Sequence, residues 1–256
     1  MEKITAITIA HNEAANIGRC IRSLVGTADE IIVLIDKKTT DATEAIVASF
    51  PEVRYEVVEW QGFSKTKQIA LDMSQNDWIF WIDGDEELTA ELADEIKALK
   101  NTLGTHVHAY EMPRRAEFLG RWIYHSGWYP GYVTRIFNKT IVKLSTNAVH
   151  EHLIVPGEKG RLKHDLNHYT DPSIKHYFKK FNSYTSLAAE DMDRAHKSFS
   201  TSDILLRPLF LFVKMYIFKR GFLDGIQGFY LAMFSAHYVL VKYAKLWELR
   251  KNKGTV

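Results

Sequence analysis

Trp78-Ile79-Phe80-Trp81-Ile82-Asp83-Gly84-Asp85-Glu86 is an unbroken apolar run that ends in two carboxylates two positions apart. Five apolar residues in a row predict a short strand buried on both faces, as in the middle of a parallel sheet. Alternate side chains at a strand's end point the same way, so Asp83 and Asp85 can share one cation. Gly84 between them lets a ligand approach the backbone. Hard carboxylate oxygens suit Mg²⁺ or Mn²⁺, which keep positions open for diphosphate oxygens. The plainer reading of the same residues is an acidic turn that caps a helix.

Working outward, short β-rich runs alternate with helix-compatible stretches. Ile4–Ala10, Glu30–Ile35 and Val53–Val58 read as strands, each followed by a helical stretch: Glu13–Leu24, Asp41–Ser49 and Lys65–Met73. Beyond the opening motif, Glu91–Leu103 reads as a helix and Ala109–Pro113 as a strand. Strands separated by single helices predict βαβ crossovers, hence an α/β fold with a Rossmann-like, mostly parallel sheet flanked by helices. Ligands of such sheets sit outside the carboxyl ends of the strands. The residues there are polar: His11-Asn12-Glu13 after the first strand, and Asp36 with Lys37-Lys38-Thr39-Thr40-Asp41 after the second. No GxGxxG follows the first strand and no GxxxxGK[ST] occurs, which excludes a dinucleotide fingerprint and a P-loop.

The chain has 256 residues, 46% hydrophobic and 25% charged, with one cysteine, Cys20. These values describe a globular chain and exclude a disulfide scaffold or a Cys-rich zinc module. The N-terminus carries no basic, apolar leader, so a cytoplasmic location is expected. Charge is distributed unevenly: residues 1–175 hold 20 basic and 25 acidic side chains, residues 176–256 hold 13 and 6. A basic C-terminal third suggests an anionic partner.

Asp171-Pro172 reads as the start of a helix running to about His196, with a polar break over Lys197–Asp203. Two regions are therefore expected, a catalytic domain over 1–170 and a helical extension over 171–256. Within Arg207–Trp247 the longest stretch free of Lys, Arg, Asp and Glu is Gly225–Val241, short of a membrane span. Phe222, Ile226, Phe229, Tyr230, Met233, His237, Leu240 and Val241 recur at helical spacing, with Arg207, Lys214, Lys219 and Arg220 upstream. That amphipathic pattern suits helices lying in the interface of the inner membrane; packing on the catalytic domain or in a homodimer is the alternative. Nucleic acid is not expected, because the basic residues are interleaved with bulky aliphatics rather than stacking rings.

Taken together, the motifs resemble glycosyltransferase family 2, inverting nucleotide-sugar enzymes of the GT-A fold. Thr8-Ile9-Ala10-His11-Asn12-Glu13 resembles the family's first-strand nucleotide motif, Asp36–Thr43 its D-x-x-S-T-D-x-T turn, and Asp83-Gly84-Asp85 its DxD. Trp128-Tyr129-Pro130, Arg135-Ile136-Phe137, Val149-His150-Glu151 and Asn167-His168-Tyr169 resemble the subgroup of bacterial lipopolysaccharide core glucosyltransferases. Lys37-Lys38 and Thr39 depart from the usual turn, which bears on base or sugar preference.

The resemblance implies roles by residue. Ala10, His11, Asn12 and Glu13 would line the base pocket, and Asp36 would accept hydrogen bonds from base or ribose. Asp41, Gly84 and Lys67 (or Lys65) would belong to the donor site. Asp85 would ligate Mg²⁺ or Mn²⁺, Asp83 the metal or ribose, and His168 would complete the metal site. Arg135 would hold diphosphate or acceptor, and Trp128 or Tyr129 would offer a sugar-stacking face. Glu151 would be the general base, with His150 or Glu86 as substitutes. His150-Glu151-His152 as a zinc site is disfavoured, since His at i and i+2 diverge on a helix and no HExxH is present. The expected activity is transfer of a hexose, glucose from UDP-glucose first, to a hydroxyl of a lipopolysaccharide-core or other lipid-linked glycan. Transfer to polyprenyl phosphate is the nearest alternative; a sugar nucleotidyltransferase and a non-catalytic membrane adaptor are rivals from other classes.

Overall fold

The structure is a computed structural model that describes all residues except Thr105, 145–152 and 254–256. The chain divides into two compact units: residues 1–114 with 131–169, and residues 115–130 with 170–256.

The first unit begins with β1 (Ile4–Ala10), α1 (Ile17–Leu24), β2 (Glu30–Asp36), α2 (Thr43–Ala48), β3 (Val53–Val58), α3 (Phe63–Met73) and β4 (Trp78–Trp81). It continues through β5 (Glu86–Leu88), α4 (Ala90–Leu99), β6 (Ala109–Phe118), β7 (Arg121–Trp122) and β8 (Gly131–Asn138); the end of β6 and all of β7 belong to the second unit. Short β9 (Lys143–Leu144), β10 (Leu153–Ile154) and β11 (Gly160–Arg161) precede β12 (Leu166–Asp171). The main sheet has the order β3-β2-β1-β4-β8-β6-β12-β5. From β3 to β4 every pairing is parallel, as the βαβ pattern predicts. Beyond β4 antiparallel pairings appear, β8 against β4 and β6, and β12 against β5, while the short β11 runs parallel to β6.

Burial explains which strands lie inside. Every residue of β4 is buried, and β2 is buried except at Glu30, whereas β3 at the sheet edge is never fully buried. Period-two alternation then divides the apolar side chains between two layers. Ile31, Val33, Ile35, Trp78, Phe80 and Ile82 pack with Ile17, Cys20 and Ile21 of α1 and Leu92 and Ile96 of α4. Ile7, Ile32, Leu34, Ile79 and Trp81 pack on the opposite face with Ala70 and Leu71 of α3. Parallel strands sandwiched by helices leave their carboxyl ends as the place where polar loops meet.

In the second unit, α5 (Ile174–Arg194), α6 (Thr201–Val213) and α7 (Gly225–Asn252) are joined by a π-helical turn Lys214–Phe218 and a 3₁₀ turn Gly221–Asp224. Asp171 does not cap α5. It ends β12, and the cap is Ser173, whose Oγ accepts the His176 N–H at 3.1 Å. Among the described residues no helix is long and apolar enough to cross a membrane.

The Gly221–Gly228 stretch binds this unit together. A Cβ on Gly228 would stand 1.9 Å from the Gly221 carbonyl oxygen, so α7 starts against bare backbone. Asp224, 1% exposed, accepts the backbone N–H groups of Tyr124 and His125 and faces His125 Nδ1 at 3.0 Å. Trp128 packs edge-on to Phe118, and Tyr129 edge-on to Tyr124, both within this unit.

Candidate active site

The β1 and β2 loops are tied to each other before any ligand arrives. Asn12 takes a left-handed backbone (φ 54°), which Asn tolerates better than most residues, and its Oδ1 accepts the Thr40 N–H at 2.9 Å. Asp41 accepts from the Ala14 N–H, the Thr43 N–H and the Thr43 hydroxyl, and the Thr43 Oγ1 accepts the Glu13 N–H. Desolvation of the Asp41 carboxyl favours the neutral form, but the Thr43 hydroxyl and the backbone donors together outweigh it and hold its pKa below the ordinary range. Asp41 therefore fastens two loops, with both carboxylate oxygens engaged by the chain itself.

Asp36 is nearly buried at the end of β2. One oxygen accepts the Lys38 N–H at 2.9 Å, and the other lies 3.2 Å from Nδ1 of the half-exposed His11. Ala10 is buried opposite Ile35 in the β1–β2 register, one residue from this pair. The ends of the two strands thus present an acceptor, an imidazole and the Asn12 amide together, a set able to recognise the N–H and hydroxyl groups of a nucleoside.

The two carboxylates after β4 have separate partners. Arg135 of β8 bonds both Asp83 Oδ2 and Glu86 Oε1, and Arg114 of β6 reaches the same Glu86 oxygen at 3.1 Å. Burial alone would raise the Asp83 pKa; the charges of Arg135 and then Lys67 reverse that and hold it below the ordinary value. Asp85 instead faces His168 of β12, Nε2 to Oδ2 at 3.3 Å, and its carbonyl accepts the Tyr169 N–H. Gly84 sits against Glu13, where a Cβ would come within 3.2 Å of the Glu13 Cγ.

Donor chemistry decides which of these could hold a divalent cation. Asp85 and His168 offer a hard oxygen and an imidazole nitrogen at neighbouring positions, and Asp83 is already matched by a guanidinium. Among the described residues no cluster of three His, Cys, Asp or Glu side chains forms. Asp85 and His168 therefore fit an ion that takes few protein ligands and fills its shell with ligand oxygens and water.

Beside Asp83, a cleft of about 340 Å³ is lined by Lys67, Trp81, Arg114, Thr134, Arg135 and Lys159, among others. Four of those six are cations. Lys67 Nζ lies 3.4 Å above the Trp81 ring centroid, which fixes the ammonium over an aromatic face. The Arg135 Nε is buried without a hydrogen-bond partner, a donor left over at the cleft.

Against the sequence reading, the structure brings His11, Asn12 and Asp36 together, Asp83 with Arg135 and Lys67, and Asp85 with His168. Glu86 is not a substitute base: its side chain has no exposed surface and its carboxylate is held by two arginines and the Asp83 N–H. Glu151, His150 and His152 lie outside the described residues. Leu144 and Leu153, on either side of 145–152, both line the cleft. Arg114, Thr134 and Lys159 escaped the sequence reading. Arg135 falls at the irregularity of the β6–β8 pairing, between Ile136 opposite Tyr110 and Thr134 opposite Glu111, and its meeting with Arg114 at Glu86 shows only once that register is known; for Lys159 the sequence holds no signal.

The model of the family described as Glycosyl transferase family 2 matches residues 5–154. A glycosyltransferase of Rickettsia felis is 31% identical over the whole chain and 94% of its own length. The lipopolysaccharide core biosynthesis glycosyltransferase LpsC of Rhizobium meliloti is 27% identical over 98% of the chain and 94% of its length. Among solved structures, the mannosyltransferase PcManGT of Pyrobaculum calidifontis, in complex with GDP-Man and Mn²⁺, superimposes with a TM-score of 0.55. The match spans 96% of the chain and 87% of the mannosyltransferase at 12% identity, a likeness of fold.

Proposed function

This chain is a member of glycosyltransferase family 2, and from that premise we propose that it moves a hexose, glucose from UDP-glucose first, to a sugar hydroxyl of a lipid-linked envelope glycan of the lipopolysaccharide-core type. The observation that carries the reading is the split of the DxD pair: Asp85 lies beside His168 for a cation, while Asp83 is locked to Arg135. Similarity to LpsC supports the acceptor class. Family membership sets aside the nucleotidyltransferase and the non-catalytic adaptor. The C-terminal helices would hold the enzyme at the cytoplasmic face of the membrane, a role supported by their exposed apolar side chains.

Each group has a distinct task in this account. Asp36, His11 and the Asn12 backbone bind and orient the nucleoside. Asp85 and His168 would hold Mg²⁺ or Mn²⁺, which would supply positive charge to the leaving diphosphate. Lys67 and Arg135 add fixed positive potential in the cleft, where a diphosphate charge is worth more than in water. Arg135 also keeps Asp83 ionised and stationary. Glu151 takes the proton of the acceptor hydroxyl as its oxygen forms the bond to the anomeric carbon and the carbon–oxygen bond to the diphosphate breaks. The match of the family model through residue 154 and the resemblance of Val149-His150-Glu151 to the core glucosyltransferases support that assignment.

Glu151→Gln tests the acceptor chemistry. Loss of a general base should lower turnover by about 10²–10⁴-fold with donor binding retained. A variant that turns over at the wild-type rate would contradict a hydroxyl acceptor and favour polyprenyl phosphate, which is ionised already. Transfer of radiolabelled glucose to core oligosaccharide, with UDP-glucose binding measured on the same sample, reads both quantities.

A further inference from the structure

The second unit contains a cavity that the sugar-transfer reading leaves without a role. It measures about 470 Å³, within the range of small-molecule sites, and is walled by Trp128, Leu211, Met215 and Val239. Two lysines, Lys214 and Lys219, also line it, with Tyr177, Tyr238 and small residues among the rest, and no acidic side chain does. Their proximity is built into the backbone: the Lys219 N–H donates to the Lys214 carbonyl at 2.8 Å, the long-range bond that closes the π-helical turn. Such turns are rare and occur often at functional sites. Gly127, whose left-handed backbone (φ 78°) favours glycine, lies beside the Lys219 stem at the same cavity. Neither ammonium has an acidic partner among the described residues.

The surroundings identify the kind of anion. Leu205, Leu206, Leu209, Phe210, Ile217 and Phe218, on α6 and the π turn, are between 51% and 72% exposed. On α6 the four exposed residues follow the i, i+1, i+4, i+5 spacing of one helix face. Residues 204–223 contain four basic side chains and no acidic one. The flanking acids are occupied, Asp203 by Arg207 and Asp224 by His125 and two backbone N–H groups. A second copy of the chain would be a poor cover for this face, because a two-fold contact sets like charges against like with nothing to neutralise them. A surface that is apolar and cationic at once matches an anionic amphiphile.

We infer that this cavity is a seat for the phosphate end of one anionic lipid, with Lys214 and Lys219 binding the phosphate and Trp128, Leu211, Met215 and Val239 packing the first part of the acyl or prenyl chain. The lipid-linked acceptor proposed above would bring such a group. The inference rests on that reading only for the lipid's identity, not for the binding itself.

The test is calorimetric titration of the full chain with dihexanoyl phosphatidic acid below its micellar concentration. Parallel titrations use dihexanoyl phosphatidylcholine and inorganic phosphate, and UDP-glucose with Mn²⁺ on the same samples. Phosphatidic acid should bind at least about tenfold more tightly than either control, a difference of about 1.4 kcal/mol. The exposed Lys214→Glu/Lys219→Glu pair should lose that preference while still binding UDP-glucose. Equal binding of phosphatidylcholine, equal binding of inorganic phosphate, or an unchanged double variant would each overturn the inference. The wild-type comparison stands even without a folded variant. Absent UDP-glucose binding by the wild type would count against the donor reading instead, whatever the lipid does.

Discussion

Asp83 and Asp85 stand two positions apart, yet one is matched by a guanidinium and the other by an imidazole. Period-two geometry made their shared direction legible in the sequence; their different partners come from β8 and β12, more than forty residues downstream, and no local pattern announces them. The Arg135 charge has a consequence for pH. Burial raises the Asp83 pKa, but Arg135 and Lys67 bring it below the unfolded value, so the associated stabilisation is complete above about pH 4 and is lost as pH falls through the lower, folded value. Arg135→Met removes the largest opposing charge, and burial then raises the Asp83 pKa. With that charge gone the folded chain no longer favours the ionised Asp83, so the acid-side loss should shrink: the variant's urea midpoint should lie furthest below the wild type's near pH 7, and the gap should narrow as pH falls towards about 3. Coincident pH profiles would show that Asp83 and Arg135 are not coupled. Asp41 illustrates the opposite limit: its place in the D-x-x-S-T-D-x-T-like turn marked it as a ligand residue, whereas its oxygens are taken up by Thr43 and Ala14.

At the scale of elements, apolar runs were read well and short or irregular strands were not. β1, β2 and β4 announce themselves because central parallel strands need apolar residues on both faces. β5, β7 and β11 have two or three residues each, too few for a period to show, so beyond β4 only the start of β6 is legible in the sequence. Pro113 suggested a strand end, yet β6 continues to Phe118 through a pairing with Tyr132 that tolerates the missing N–H. Likewise Asp171-Pro172 has the composition of a helix start but closes a strand, with the cap two residues later. The glycines of the second unit make the sharpest prediction at this scale. Gly228→Ala places a methyl group 1.9 Å from a backbone oxygen, which cannot be relieved by a rotamer change, and should destabilise by about 3 kcal/mol or more. Gly84→Ala meets only the flexible Glu13 side chain at 3.2 Å and should cost about 1 kcal/mol or less. Chemical denaturation of the two variants checks the ranking; equal midpoints would contradict the close approach of α7 to the 3₁₀ turn.

For the whole molecule, a nearly neutral chain divides its charge between an acidic body and a basic C-terminal third. Its first unit gathers a candidate nucleoside edge, a candidate cation pair and a cationic cleft on the carboxyl side of a parallel sheet, the place where α/β sheets bind ligands. Family membership makes the reaction class a finding, while donor, metal and acceptor stand as proposals with separate tests. The central claim is that a uridine sugar binds through a cation held by Asp85 and His168. Calorimetric titration of the purified chain with UDP, GDP, UDP-glucose and UDP-galactose, with and without Mn²⁺, tests it most directly when repeated on Asp85→Ala. The account predicts Mn²⁺-dependent binding of UDP-glucose that Asp85→Ala abolishes, with GDP bound more weakly. Binding that is indifferent to Mn²⁺, or unchanged in Asp85→Ala, would contradict it.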